Sequence, residues 1–235
     1  MNKLKYSIAA LSLFTLVATN AAAQQTADEA ATKEKSEATE TPKFALSLNA
    51  GATFSYTDVK PSKTGITIGV AGAYYATPYL HINLDLQKGW IKGGEKIDVK
   101  NVMGSDNSYF AGSVAARFLP FGLAKSNSNG MKFLKGIYGG AGIGLISTSV
   151  KANQVIAGEF GALGDYSGMS LMIPIEGGIN IPVAELANNK RIMINLNYRV
   201  NLCMSDKIDG YVPVVEANKK NDAFNALTAG VVFNF

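Results

Sequence analysis

The chain is poor in the residues that make cross-links and metal sites. Of its 235 residues one is cysteine, Cys203, and one is histidine, His81. A single thiol excludes an internal disulfide, and its position far from the amino terminus excludes a lipid anchor made by acylating a cysteine at a leader cleavage point. One histidine with one cysteine makes none of the usual metal clusters, so neither a metal nor a cofactor is expected. Long apolar runs are missing too. The stretch from Ile8 to Val17 is too short for a bilayer core of about 30 Å, which takes roughly 20 helical residues, and no later run reaches that length. A membrane location would therefore require a closed barrel, the other structure that satisfies every backbone polar group in lipid. Charge of one sign is also lacking. The formal charge of +4, less the leader lysines Lys3 and Lys5, leaves +2, which gives no basis for a nucleic-acid partner.

What is present begins with an export signal. Lys3 and Lys5 precede the apolar run, and Ala21-Ala22-Ala23 follows it as a small-residue cleavage site. Residues 1–23 are thus expected to be a cleaved signal peptide. Residues 24–42 shift to Ala, Thr, Glu and Lys with no aromatic or branched aliphatic side chain to bury, so a disordered periplasmic tail is expected. The folded domain is expected over 43–235.

That domain alternates. Phe44, Leu46, Leu48, Ala50, Ala52 and Phe54 share one face of a strand, and Ala45, Ser47, Asn49, Gly51 and Thr53 share the other. Seven more segments repeat the pattern: Thr64 to Tyr75, Tyr79 to Ile91, Ser108 to Phe118, Ile137 to Ser149, Met169 to Ile181, Ile192 to Cys203 and Ala223 to Phe235. Eleven such residues, tilted near 40°, rise roughly 25 to 28 Å, the height of the apolar band of a membrane barrel. A soluble barrel would show the same alternation with its apolar face turned inward, but it would need Lys and Glu along its solvent face. The segments hold only Asp85, Lys88, Arg117, Glu176 and Arg199. Lys88 is the one charge on the apolar face, near a strand end where it can snorkel. The reading is an all-β, eight-stranded antiparallel up-and-down transmembrane β-barrel.

The connections alternate in character as well. Thr57 to Lys63, Lys92 to Asn107, Val150 to Gly168 and Met204 to Asp222 are expected outside, and Ala76 to Pro78, Leu119 to Gly136 and Pro182 to Arg191 inside. Long outer loops and short inner turns are the barrel rule; Leu119 to Gly136 is too long for it. Aromatics fall near strand ends as girdles, with Phe44, Tyr74, Phe118 and Phe235 at the inner rim and Phe54, Trp90, Phe110 and Phe224 at the outer rim. Gly230, Phe233 and Phe235 resemble the carboxy-terminal assembly signal of outer-membrane barrels.

With this motif and these strands, the chain resembles the small eight-stranded outer-membrane barrels of the OmpA-barrel and OmpX-like class, the porin-family outer-membrane proteins. The resemblance implies a place in the Gram-negative cell outer membrane. Its implied partners are outer-membrane lipids, lipopolysaccharide and the barrel-assembly machinery. The separate peptidoglycan-binding domain of the OmpA family has no counterpart after this barrel, so a wall-anchoring role is not implied.

No catalytic residue is expected. His81 and Asp85 share a strand face, but four residues along a strand span about 13 Å, beyond any hydrogen bond. His81 is read as filling the lumen. The glycine run from Gly139 to Gly144 has no following helix to hold a phosphate and is read as making room for bulky lumen neighbours. Glu176 and Arg199, inward on adjacent strands, are expected to form a lumen ion pair. Asp85, Arg117, Asn195, Asn197 and Asn201 are expected around them. Because an eight-stranded barrel is about filled by its own side chains, the expected function is non-enzymatic: a mostly closed polar lumen, with a structural or surface-interaction role through the loops. A narrow porin for small solutes is the alternative, and a lipid- or peptide-modifying enzyme a more distant one.

Overall fold

A computed structural model describes residues 42–56, 62–98, 101–124, 128–152, 156–158, 161–163, 165–186, 190–205, 208, 211–213 and 221–235. The expected signal peptide and nearly all of the expected tail lie outside these residues. Eight long strands form one ring: β1 (Phe44–Tyr56), β2 (Ser62–Thr77), β3 (Leu80–Asp98), β4 (Asn101–Phe118), β5 (Ile137–Ala152), β8 (Tyr166–Glu185), β9 (Arg191–Cys203) and β11 (Ala223–Asn234). Each pairs antiparallel with its neighbours in sequence order, and β1 pairs with β11 to close the barrel. Closure leaves no edge strand. At the seam, Phe44 and Phe235 exchange backbone hydrogen bonds of 3.1 and 2.9 Å.

The period-two pattern sorts side chains as the sequence predicts. Leu46, Leu48, Ile66, Ile68, Val114, Ile143, Leu145, Leu171, Leu196 and Leu227 are exposed on the outer wall. Together they make an apolar belt far larger than a water-soluble surface tolerates. Lys88 stands in this belt with its ammonium 2.7 Å from Ser108 Oγ and over the Trp90 ring.

Several strands run past the apolar alternation. β3 and β4 continue to Asp98 and back from Asn101, so most of the expected loop Lys92 to Asn107 is a tall hairpin. Backbone pairing needs no apolar face, which is why alternation underestimates strands that leave the belt. β8 likewise reaches Tyr166 and Glu185. The stretch Val150 to Gly168 is not structureless: β6 (Ile156–Gly158) and β7 (Gly161–Leu163) form a hairpin, and β10 (Tyr211–Pro213) of the next loop pairs with β7. At the opposite end, the long connection Leu119 to Gly136 holds a short helix, α1 (Asn129–Leu134), whose N-cap Ser128 accepts from the Met131 amide at 3.3 Å.

Candidate functional site

The lumen is built from inward residues of all eight strands, and it is layered. At mid-height one ladder row runs Arg117 on β4, Gly140 on β5, Glu176 on β8, Arg199 on β9 and Ala226 on β11. Gly140 is why Arg117 and Glu176 meet although β5 stands between them. A Cβ at that position would lie 3.2 Å from Arg117 Cγ and 2.6 Å from the Ala116 carbonyl oxygen. With no side chain there, Arg117 crosses β5 and grips Glu176 side-on, Nε to Oε1 at 2.6 Å and Nη2 to Oε2 at 3.1 Å. Arg199 donates to Glu176 Oε2 from Nε at 3.1 Å and from Nη2 at 2.8 Å, and Asn197 Nδ2 adds a further bond at 3.0 Å.

Arg199 also reaches the far wall. Its Nη1 lies 3.0 Å from Asp85 Oδ1 on β3, four strands away around a ring of eight and hence diametrically opposite. The charges alternate along Asp85, Arg199, Glu176 and Arg117, so the cluster is neutral. Arg199 is 2% exposed and Glu176 5%. Charges this deep are tolerated because each has a counter-ion and further hydrogen bonds.

Of the expected site residues, Glu176, Arg199, Asp85, Arg117 and Asn197 come together here. Asn195 lies one step lower, donating to Tyr138 Oη at 2.9 Å and Asn180 Oδ1 at 2.9 Å. Asn201 does not join them: it is fully buried, and neither side-chain polar atom has a partner. Two participants were not expected. Tyr138 places its ring 4.5 Å from the Arg117 guanidinium, and Asn83, in the amide orientation that matches donors with acceptors, accepts from Arg117 at 3.0 and 3.1 Å. Both lie on inward faces of expected strands, so parity alone could have proposed them. His81 stacks on Tyr75, centroids 4.0 Å apart. Among the described residues no group of His, Cys, Asp and Glu is placed to hold a metal.

Toward the short-turn end lies a cavity of about 30 Å³ lined by Tyr75, His81, Asn83, Asn180 and Asn195, room for very few waters. Beneath it Ala45, Met193 and Val232 form a small apolar floor. Toward the long-loop end the lumen is not polar as expected. Ile91, Tyr109, Ala111, Ile146, Met172, Cys203 and Phe224 pack into an apolar layer, joined by Ile208 from the loop after β9. The Tyr109 and Phe224 rings, on opposite walls, meet at 5.0 Å, and Tyr109 Oη donates to Thr67 Oγ1 at 3.0 Å. Gly89 vacates the space for Tyr109, whose ring would lie 2.6 Å from a Cβ there. Ile208 is held by its own backbone: its carbonyl accepts from Asn107 Nδ2 at 2.5 Å and its amide donates to Asp222 Oδ2 at 2.8 Å.

This layer corrects the expected outer girdle. Phe224 is wholly buried in the lumen, because it shares parity with the inward Ala226 and Thr228. Phe54 and Trp90 are half-buried on the outer wall and Phe110 is exposed there. At the other rim Tyr74, Phe118 and Phe235 are exposed, and Phe44 bridges Tyr74 and Phe235 at 5.4 and 6.4 Å. Phe233 stacks on Phe235 at 5.8 Å, facing outward, while Gly230 turns inward against Asn49, whose Oδ1 would lie 2.1 Å from a Cβ.

Several solved structures are similar, among them the following three. Neisserial surface protein A aligns at 14% identity and TM-score 0.45 over 82% of this chain and 97% of its own. Ail, the attachment invasion locus protein of Yersinia pestis, aligns at 11% and 0.46 over 83% and 100%. The outer membrane protein OprG from Pseudomonas aeruginosa aligns at 10% and 0.38 over 84% and 98%. No curated protein matches the sequence. The family model described as outer membrane protein beta-barrel domain matches residues 9–235, and the chain belongs to that family of outer-membrane β-barrels.

Proposed function

We propose that this outer-membrane barrel is non-enzymatic and closed, and that it acts structurally or as a surface-interaction protein through its outer loops. The observation that carries the reading is the Asp85 to Arg199 contact across the barrel diameter at 3.0 Å, which sets a neutral ion cluster in the middle of the lumen. A conducting path would have to pass this cluster and then the apolar layer of Tyr109, Phe224 and Ile208. Water and ions gain little from entering an apolar constriction. The tall β3 and β4 hairpin and the β10-β7-β6 sheet are then what the protein offers to the outside, in keeping with the general placement of recognition on loops carried by a rigid scaffold.

The belt of outward Leu, Ile and Val fits outer-membrane lipids, with lipopolysaccharide in the outer leaflet. Gly230, Phe233 and Phe235 are assigned to recognition by the barrel-assembly machinery. The test of closure is planar-bilayer conductance of the purified, refolded protein. The expected result is no steady single-channel current above the bare bilayer; discrete, lasting current steps would replace this reading with that of a narrow porin.

A further inference from the structure

The connection between β4 and β5 is fastened to the barrel at both ends. The Leu119 amide donates to the Tyr79 carbonyl at 2.8 Å, and Gly122 sits so close to the β2–β3 turn that a Cβ would lie 2.2 Å from the Pro78 carbonyl oxygen. After α1, the Gly136 carbonyl accepts from the Asn180 amide at 2.9 Å. A segment held this way could turn its large apolar groups inward, toward Leu119, which is buried. It does not. Phe121 is 39% exposed, Leu123 68% and Phe133 46%, and the first two follow closely in the chain on Phe118 of the outward belt. The cations are one-sided as well, since the stretch from Leu119 to Gly136 carries three lysines and no acidic residue. The only carboxylate beside Lys132 among the described residues is Glu185, at 3.9 Å and shared with Arg191.

We propose that the described parts of this connection, residues 119–124 and 128–136, form an interfacial foot, with Phe121, Leu123 and Phe133 at the acyl boundary of the inner leaflet and Lys132 against the phosphates of anionic phospholipid. The inference rests on the outer-membrane barrel reading and adds a specific lipid contact to it. Two observations select lipid over a soluble partner. Phe121 and Leu123 continue the chain from the lipid-facing belt with no polar residue between, and the flanking charge is positive, the arrangement that binds apolar side chains and anionic headgroups together at a membrane surface. The foot also accounts for a connection longer than an inner turn needs.

The test places single tryptophans in a W90F background at position 133 (F133W), at position 123 (L123W) and, as reference, on the mid-belt outer wall (I143W), in the full barrel folded into phosphatidylcholine and phosphatidylglycerol vesicles. Tail-brominated lipid is expected to quench all three. F133W and L123W should lose more emission when the brominated lipid is phosphatidylglycerol, and K132E should reduce that difference. Quenching of I143W with F133W and L123W untouched by brominated lipid and open to aqueous quencher would overturn the foot alone, and would leave a soluble partner as the occupant of those side chains. Failure of I143W itself to be quenched would overturn the barrel placement and the foot with it.

Discussion

Glu176 holds the lumen together because it answers two guanidiniums at once. Its carboxylate accepts from Arg117, Arg199 and Asn197 in a space from which bulk water is absent. Removing one partner of a buried pair leaves the other charge uncompensated, at a cost of about 3 to 5 kcal/mol. Glu176→Gln keeps the shape and removes the charge, leaving Asp85 alone against two arginines. Its urea midpoint in lipid vesicles, read by loss of heat-modifiable gel mobility, is expected to fall by an amount equivalent to several kcal/mol. A midpoint equal to wild type would show that the cluster is not a stabilising element. The inward glycine of the same row is as exacting. Gly140→Val drives a branched side chain into Arg117, whereas Gly139, one residue away on the outer face, has no atom closer than 4.0 Å to a would-be Cβ. Overpacking costs typically 1 to 3 kcal/mol. The paired substitutions should therefore separate, Gly140→Val lowering the folded fraction and Gly139→Val leaving it near wild type.

At the scale of elements, alternation made the membrane-crossing part of every strand legible, because the belt imposes one apolar side chain at every second position. β9 is the clearest case, with Ile194, Leu196 and Leu202 exposed and Asn195, Asn197, Arg199 and Asn201 buried. Outside the belt that constraint ends. Gly93, Gly94 and Glu95 give no apolar signal, yet β3 continues through them by pairing with β4. α1 was hidden for a different reason, since six residues are too few for a 3.6-residue period to show. Phe224 lies near a strand end, where a girdle aromatic is expected, but its parity sends it inward. Parity decides, for a one-residue change of face would reverse the whole strand. The Glu176 and Arg199 pairing could be read from adjacent strands, but Asp85 opposite Arg199 and Arg117 across Gly140 depend on register, which alternation does not fix. Among the described residues the outer β10-β7-β6 sheet forms no ladder with a barrel strand. Deleting residues 154–164 is therefore expected to leave heat-modifiable mobility and the urea midpoint of the barrel unchanged; loss of the folded band would mean that this sheet supports the ring.

For the whole molecule, the proposed closure at the long-loop end rests on a residue that is not part of the wall. Ile208 is 2% exposed and seated among Tyr109, Ile146, Met172 and Phe224, in the same apolar cluster as Cys203. Its backbone bonds to Asn107 and Asp222 are kept by an apolar replacement of similar size such as Ile208→Leu. Ile208→Asp puts a carboxylate into that layer, where an unpaired charge is not tolerated, so the loop must lift away and water must enter down to the ion cluster. Cys203 is fully buried and the only thiol in the sequence, which makes it a built-in reporter. In wild-type protein folded in vesicles, a water-soluble maleimide should label Cys203 only after unfolding. In Ile208→Asp the folded protein should be labelled, while Ile208→Leu stays protected. Bilayer conductance should remain absent in all three, because Asp85, Arg199, Glu176 and Arg117 still cross the lumen below. Current in Ile208→Asp would show instead that the apolar layer, and not the ion cluster, is the barrier; where Ile208→Asp and Glu176→Gln are each silent, conduction in the double variant would show two barriers in series.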